Sequence, residues 1–432
     1  MVQILWLLKL LHLAIAIALV WFSFNLRNPW FATLRVELFL VVILVGFILL
    51  ATHLLVAKKR WLNYLILGLT SFSLLNVATS EANFQYNKNK ILTQNNPLIA
   101  QLGQHFIVGY RDFEEVTQLV RQQAIAGIFI TTRNIQGKTK AEIQQEIKIW
   151  QEIRSQQNLP PLWIASDQEG GIVSRLSPPL TKLPLLAEVV NQNPEFTARK
   201  NAVIEYATQQ GKELAELGVN LNFAPVVDLN KGVINPEDRL SQIYRRAISS
   251  DKQVVTQVAS WYCQTLEEYG VRCTIKHFPG LGRVEQDTHI SEAALSTPIT
   301  ELAADDWVPF RELMANSSAF TMLGHVKLTE LDAKNPVSFS PVIIQEMLRQ
   351  VWQSDGVLIT DDFCMRAVYG SKLGVKKATV QALNSGVDLI LIAYDPPLYY
   401  SLMSEGMKAL KTGTLESGQL EESNKRLQAA VF

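Results

Sequence analysis

The chain has 432 residues, and its 40 Lys plus Arg balance 40 Asp plus Glu, giving no formal net charge. It therefore lacks the broad positive field that nucleic-acid binding needs, and no nucleic-acid partner is expected. The long uncharged runs lie before Ser80, whereas the rest has the mixed composition of a soluble domain.

Three apolar runs open the chain. Leu38–Ala57 supplies the roughly 20 apolar residues that a bilayer core requires, with His53 as its one strongly polar side chain. Val2–Phe24 is similar but carries Lys9 and His12, and Lys9 can snorkel from a helix end. Trp61–Thr79 is less apolar, containing Asn63, Thr70, Ser71, Ser73 and Asn76. Retained membrane anchors are expected rather than a cleaved signal, because the first run lacks a small-residue cleavage site. Lys58-Lys59-Arg60 should stay on the cytoplasmic side. Three spans would then place the remaining chain outside the cytoplasm, whereas two would leave it inside. The sequence thus divides into a transmembrane segment of two or three helices (1–79), a polar linker (80–97) and a further domain (98–432).

Beyond the linker, short β-branched or apolar runs alternate with amphipathic stretches, a pattern of parallel strands with crossover helices. Eight strands are expected: His105–Gly109, Gly127–Thr131, Leu162–Ser166, Asn220–Val226, Arg272–Lys276, Ala319–Gly324, Gly356–Thr360 and Val387–Ile392. Helices are expected between them, among them Lys140–Gln156, Lys200–Leu217, Lys252–Tyr269, Ala304–Ala315 and Ser340–Gln353. Eight such repeats fit an α/β fold of the TIM (β/α)8-barrel type, with an open doubly wound sheet as the alternative. Cys263, Cys273 and Cys364 lack the spacing of a metal or redox pair and are expected as small core residues, with a disulfide as the lesser possibility.

In a barrel the chemistry gathers where strands end. Strand three runs into Ser166-Asp167-Gln168-Glu169-Gly170-Gly171, strand five into Lys276-His277, strand six into His325 and strand seven into Asp361-Asp362. Asp361 is the first residue past a buried strand and can project into the barrel mouth, although Asp at that place also suits a helix cap. Asp287 and His289 stand two apart at the end of a loop containing Pro279, Gly280 and Gly282. A carboxylate can hold one imidazole nitrogen and leave the other to move protons near neutral pH, but the two could equally be solvated loop residues. Glu169, between Gln168 and two glycines, is expected to hold the turn. His325 either lines the pocket or is a buried hydrogen-bonded residue, and Asp228 and Asp388 are expected to anchor loops.

Asp-Gln-Glu-Gly-Gly at 167–171, Phe-Ala-Pro-Val-Val-Asp at 223–228, Lys-His-Phe-Pro-Gly at 276–280, Asp-Thr-His at 287–289 and Thr-Asp-Asp at 360–362 resemble, in that order, glycoside hydrolase family 3. They are most similar to its β-N-acetylglucosaminidase branch, over about residues 98–430. The resemblance implies retaining hydrolysis of terminal β-linked N-acetylglucosamine, peptidoglycan fragments being the expected substrates. It implies Asp361 as nucleophile and Asp287 with His289 as acid/base dyad, with no metal or organic cofactor. It also implies that Asp167, Lys276, His277 and Arg246 bind the sugar and that Arg175 supports them. Leu281 and Ile172 depart from the family pattern, which typically has histidine and arginine there. Two other readings stay open: a β-glucosidase of the same family, whose acid normally comes from a second domain, and a silent sugar-binding protein.

Overall fold

The computed structural model describes residues 2–55 and 61–431; Lys58-Lys59-Arg60 lie outside them. Contacts divide the chain into two compact units between Lys90 and Ile91.

The first unit is built from helices α1 (Val2–Asn25), α2 (Arg35–Leu55) and α3 (Trp61–Thr93). All three are long and apolar enough to cross a membrane by length and composition. Ala16, Leu19, Val42, Leu49, Leu62, Ile66 and Val77 form its buried apolar cluster. Polar side chains within it meet one another: His12 Nδ1 lies 3.0 Å from His53 Nε2 and Asn76 Nδ2 donates to Ser23 Oγ at 3.0 Å. Arg27 is paired with Glu81. Much of the expected polar linker is helical. α3 continues to Thr93, so Ser80–Thr93 is helical, and a further helix starts at Pro97 with Asn96 as its N-cap. Polar residues without apolar periodicity sustain this helix, because Arg27 and the i,i+4 bond from Gln85 to Glu81 supply local support.

The second unit is an eight-stranded parallel barrel. Its strands are β1 (Phe106–Gly109), β2 (Gly127–Phe129), β3 (Trp163–Ser166), β4 (Leu221–Asn222), β5 (Arg272–Phe278), β6 (Phe320–Leu323), β7 (Leu358–Thr360) and β8 (Ile390–Ile392). Each pairs with its neighbour in the sequence, β8 returns to β1, and a parallel bridge from Ile359 to Leu389 brings β7 to β8. The barrel interior is filled by large side chains from alternate positions, among them Trp163 against Phe320 (5.1 Å between ring centroids) and Phe129 against Phe223 (5.7 Å). At the opposite end from the site, Leu427 of the helix Ser417–Ala429 packs on this core, while Arg426 pairs with Asp388.

Local differences from expectation have local causes. Strand four is regular only over Leu221–Asn222, since Pro225 cannot donate to a ladder, and pairing with β5 resumes as a parallel bridge from Val226 to Lys276. Strand five instead runs two residues further, to Phe278. The expected helix Ala304–Ala315 is two, Ile299–Ala304 and Trp307–Asn316, and that at Ser340–Gln353 is a π-helix over Val342–Val351. Cys263 and Cys273 form a disulfide with Cα atoms 5.4 Å apart, joining the helix Lys252–Glu268 to β5. Their expectation as plain core residues is therefore corrected. Cys364 is free and buried.

Candidate active site

The loops after the strands enclose a cavity of about 250 Å³ at the barrel mouth, lined by Asp167, Glu169, Arg175, Arg246, Lys276, His277, His289, Asp361 and Asp362. Phe129, Phe223, Met322 and Leu391 from the core line it as well. Seven of the eight candidate residues named from the sequence thus line one cavity, and the eighth, Asp287, holds one of them.

Asp361 leaves β7 with its amide donating to Leu323 O of β6 at 3.0 Å, while its Oδ1 accepts from the Asp362 amide at 2.8 Å. Burial works against its ionisation, yet His277, His325 and His289 hold its carboxyl below the usual aspartate value. Asp362 has a different job. Its Oδ1 accepts from the Cys364 and Ala393 amides and its Oδ2 from Tyr394, so it ties the end of β7 to the end of β8. His325 is fully buried, with Nδ1 on Ser338 Oγ at 2.7 Å and Nε2 on Asp362 O at 3.1 Å. Burial pushes its pKa down.

The loop after β5 carries the Asp287 and His289 pair. Its path needs glycine at 282, where an added Cβ would lie 1.8 Å from Leu229 O. Asp287 is buried and its Oδ1 accepts from the His289 amide at 2.9 Å and from His289 Nδ1 at 2.8 Å. With a carboxylate on Nδ1, that nitrogen carries a proton and Nε2 is the nitrogen left to titrate. Burial opposes both charges. The hydrogen bond from His289 nevertheless holds Asp287 down to about 2. Reciprocally, the bond to Asp287 and the charge on Asp361 raise His289 above its usual 6.5. The loop is fastened where it returns, Arg366 N donating to His289 O at 3.1 Å.

Between these groups lies an ionic cluster. Lys276 Nζ contacts Asp167 Oδ1 at 2.7 Å and Glu169 Oε1 at 2.6 Å. Arg246 grips Glu169 with two nitrogens, at 2.9 and 2.6 Å. Lys276, Arg246 and Glu169 are all buried, with side chains 2%, 8% and 7% exposed, whereas Asp167 is open at 26%. Glu169 is thus a buried counter-ion of the cavity and not merely a turn residue. Burial disfavours its charge, but Arg246 and Lys276 hold it to about 2. The available signal was its spacing: Asp167 and Glu169, two apart in extended chain, face the same side. The turn beyond them requires glycine, since Gly170 has φ +95° and an added Cβ would meet Tyr206 Oη at 2.1 Å. Arg246, expected to meet the sugar, spends most of its guanidinium on Glu169 and Ser241 O, although Nη2 also lies 3.4 Å from His277 Nε2. His277 is oriented by Asp228, which takes its Nδ1 at 2.7 Å and the amides of His277 and Leu281. Leu281 is therefore buried with its backbone on Asp228, and its side chain does not line the cavity, whereas Ile172 is exposed. Arg175 reaches the cavity from the hairpin whose other arm holds Glu169, its amide on Asp167 O at 3.1 Å.

A cavity lined by a half-buried carboxylate whose charge is stabilised, an imidazole whose pKa is raised and a polar cluster has the parts for displacement at the acetal carbon of a sugar. Comparison with known proteins agrees. Residues 97–430 match the model of the glycosyl hydrolase family 3 N-terminal domain. A β-hexosaminidase of Nitrosomonas eutropha is 32% identical over 277 residues, 63% of this chain and 74% of that protein. Among solved structures, a β-N-acetylglucosaminidase from Paenibacillus superposes with a TM-score of 0.69 at 27% identity over 78% of this chain, which spans 62% of that one. A β-N-acetylhexosaminidase from Beutenbergia cavernae gives 0.63 at 25% identity, over 78% of this chain and 98% of that one. The chain belongs to glycosyl hydrolase family 3 and is a glycoside hydrolase.

Proposed function

We propose that the chain is a retaining β-N-acetylglucosaminidase that removes terminal β-linked N-acetylglucosamine from peptidoglycan fragments. The observation that carries this reading is the sharing of one cavity by Asp361 and His289, with Asp287 on the far side of the imidazole. Relatives named as β-hexosaminidase and β-N-acetylglucosaminidase support the substrate class.

In the proposed cycle, Asp361 attacks the anomeric carbon while His289 Nε2–H gives its proton to the leaving oxygen. The bond to the aglycone breaks and a covalent glycosyl-enzyme forms. Asp361 loses its charge in this step, so His289 loses one of the two anions that raised its pKa. The lower pKa keeps the imidazole neutral once its proton has gone, and Nε2 is free in the second half to take a proton from water as that water attacks the anomeric carbon and releases Asp361. Two displacements return the sugar with its β configuration. Asp167, Lys276, His277 and Arg246 hold the sugar hydroxyls, with Arg175 in support, so that binding energy aligns the reacting atoms.

Helices α1–α3 serve as the membrane anchor in this reading, with the barrel on the extracytoplasmic side. The Cys263–Cys273 disulfide supports that side, because such bonds persist in oxidising compartments and are rare in the cytosol. The test of the whole reading is hydrolysis of an aryl β-N-acetylglucosaminide by the full chain in detergent, followed by proton NMR. The first-formed sugar should be the β anomer, and Asp361→Ala should lower the rate by about a thousandfold or more. An α product, or undiminished turnover by the variant, would reject it.

A further inference from the structure

The segment between β4 and the short helix Ile243–Arg246 has no part in the cycle above, yet it delivers one side chain to the dyad. Ser241 is buried, and its hydroxyl donates to Asp287 Oδ1 at 3.1 Å while lying 3.4 Å from His289 Nδ1. It therefore sits across the 2.8 Å hydrogen bond that orients the imidazole. Its own backbone is fixed from both sides. The Ser241 amide donates to Asp238 Oδ1 at 2.9 Å, and its carbonyl accepts from Arg246 Nη1 at 2.8 Å. Arg246 is the residue that grips Glu169 beneath the cavity. Two further bonds bind the same segment to the dyad loop, Leu240 N to Asp287 Oδ2 at 3.2 Å and Asn235 Nδ2 to Glu285 O at 2.7 Å.

A carboxylate held only by a neighbour two residues away can still rotate about its own side-chain bonds, and the imidazole it carries would turn with it. Contacts from a segment anchored to a different wall, the Leu240 amide on Oδ2 and the Ser241 hydroxyl on Oδ1, remove that freedom, and the hydroxyl is the one that also reaches the imidazole. We infer that Ser241 is a positioning residue: it fixes the Asp287 carboxylate, and through it the aim of His289 Nε2, in register with the Arg246–Glu169 pair that faces the sugar. The sugar cluster and the proton donor are then parts of one hydrogen-bonded frame. This inference rests on the reading of His289 as acid/base.

Its signature is selective. A misaimed proton donor harms substrates whose leaving oxygen needs a proton and spares those whose leaving group departs as a stable anion. Loss of a hydrogen bond to a charged group is worth roughly tenfold to a hundredfold. With the full chain in detergent, Ser241→Ala should lower kcat/KM by about tenfold or more on a β-linked N-acetylglucosamine disaccharide. On 2,4-dinitrophenyl β-N-acetylglucosaminide the change should stay within about threefold. Ser241→Thr, which keeps the hydroxyl, should preserve the wild-type dependence on leaving group. An equal loss on both substrates, or no loss on the disaccharide, overturns the inference while wild-type activity leaves the glycosidase reading standing. A wild type inactive on both substrates overturns both.

Discussion

Replacing Glu169 by glutamine tests the ionic cluster that organises the sugar wall. Lys276 and Arg246 are two buried cations that share Glu169, and the substitution leaves Lys276 with Asp167 and takes from Arg246 the carboxylate it grips. Glu169 falls from 4.5 to about 2 in the folded chain, which at about 1.4 kcal/mol per tenfold amounts to roughly 3 kcal/mol. Removing one partner of a buried ion pair costs about 3–5 kcal/mol, so two independent routes give the same scale. In a barrel of this length each kcal/mol lowers Tm by about 1.5 °C, and Glu169→Gln should melt about 5 °C below wild type at pH 7. The dependence on pH has a definite sign. A carboxyl with a depressed folded-state value contributes fully above its unfolded value of 4.5 and loses that contribution as pH falls through about 2. The gap between the two proteins should therefore be widest above about pH 5 and should narrow steadily toward about pH 2. Thermal scans of the full chain in detergent, followed by near-UV circular dichroism at a fixed scan rate, would measure it. A variant melting within about 1 °C of wild type at pH 7, or a gap that does not shrink with acid, would show that Glu169 is not the counter-ion the geometry describes.

Other consequences are open to simpler assays. Asp287→Asn removes an anion that, with Asp361, raises the pKa of His289; the alkaline limb of kcat/KM should move to lower pH, and a limb that stays in place would contradict the dyad. Labelling of the denatured, unreduced protein with a thiol reagent should add a single label, at Cys364, whereas labels on Cys263 and Cys273 would deny their bond. Reporter fusions placed after β1 should be active only as an extracytoplasmic enzyme such as alkaline phosphatase; activity only of a cytoplasmic reporter would reverse the proposed orientation.

The barrel was legible because its strands are short runs of Ile, Val, Leu and Phe, buried at nearly every position, and helical stretches separate them. The site was legible for a related reason: in this fold a polar residue immediately after such a run, like Asp167 or Asp361, lands at the mouth, as does Lys276 near the end of β5. Partnerships were not legible. Glu169 finds Arg246 across 77 residues, and Lys276 finds Asp167 across 109, so only closure of the ring brings them together. Glu169 was read as a turn residue because its local setting, between Gln168 and two glycines, is that of a turn. The Cys263–Cys273 bond escaped for a similar reason. Its two residues lie on a helix and on the strand that follows it, and ten residues of separation match no short motif. The helical Ser80–Thr93 stretch shows the opposite limit, since a helix continued from an apolar span needs no apolar period of its own.

In the proposed cycle, the carboxylate closing β7 bonds to the sugar while His289 protonates the departing aglycone. Intact-protein and peptide mass spectrometry on the full chain, quenched during turnover of a slow fluorinated N-acetylglucosaminide, tests it most directly. One sugar should be added per chain, on the peptide containing Asp361, and none in Asp361→Ala. A sugar carried on Asp167, Glu169 or Asp362 instead, or turnover without any covalent species, would contradict it.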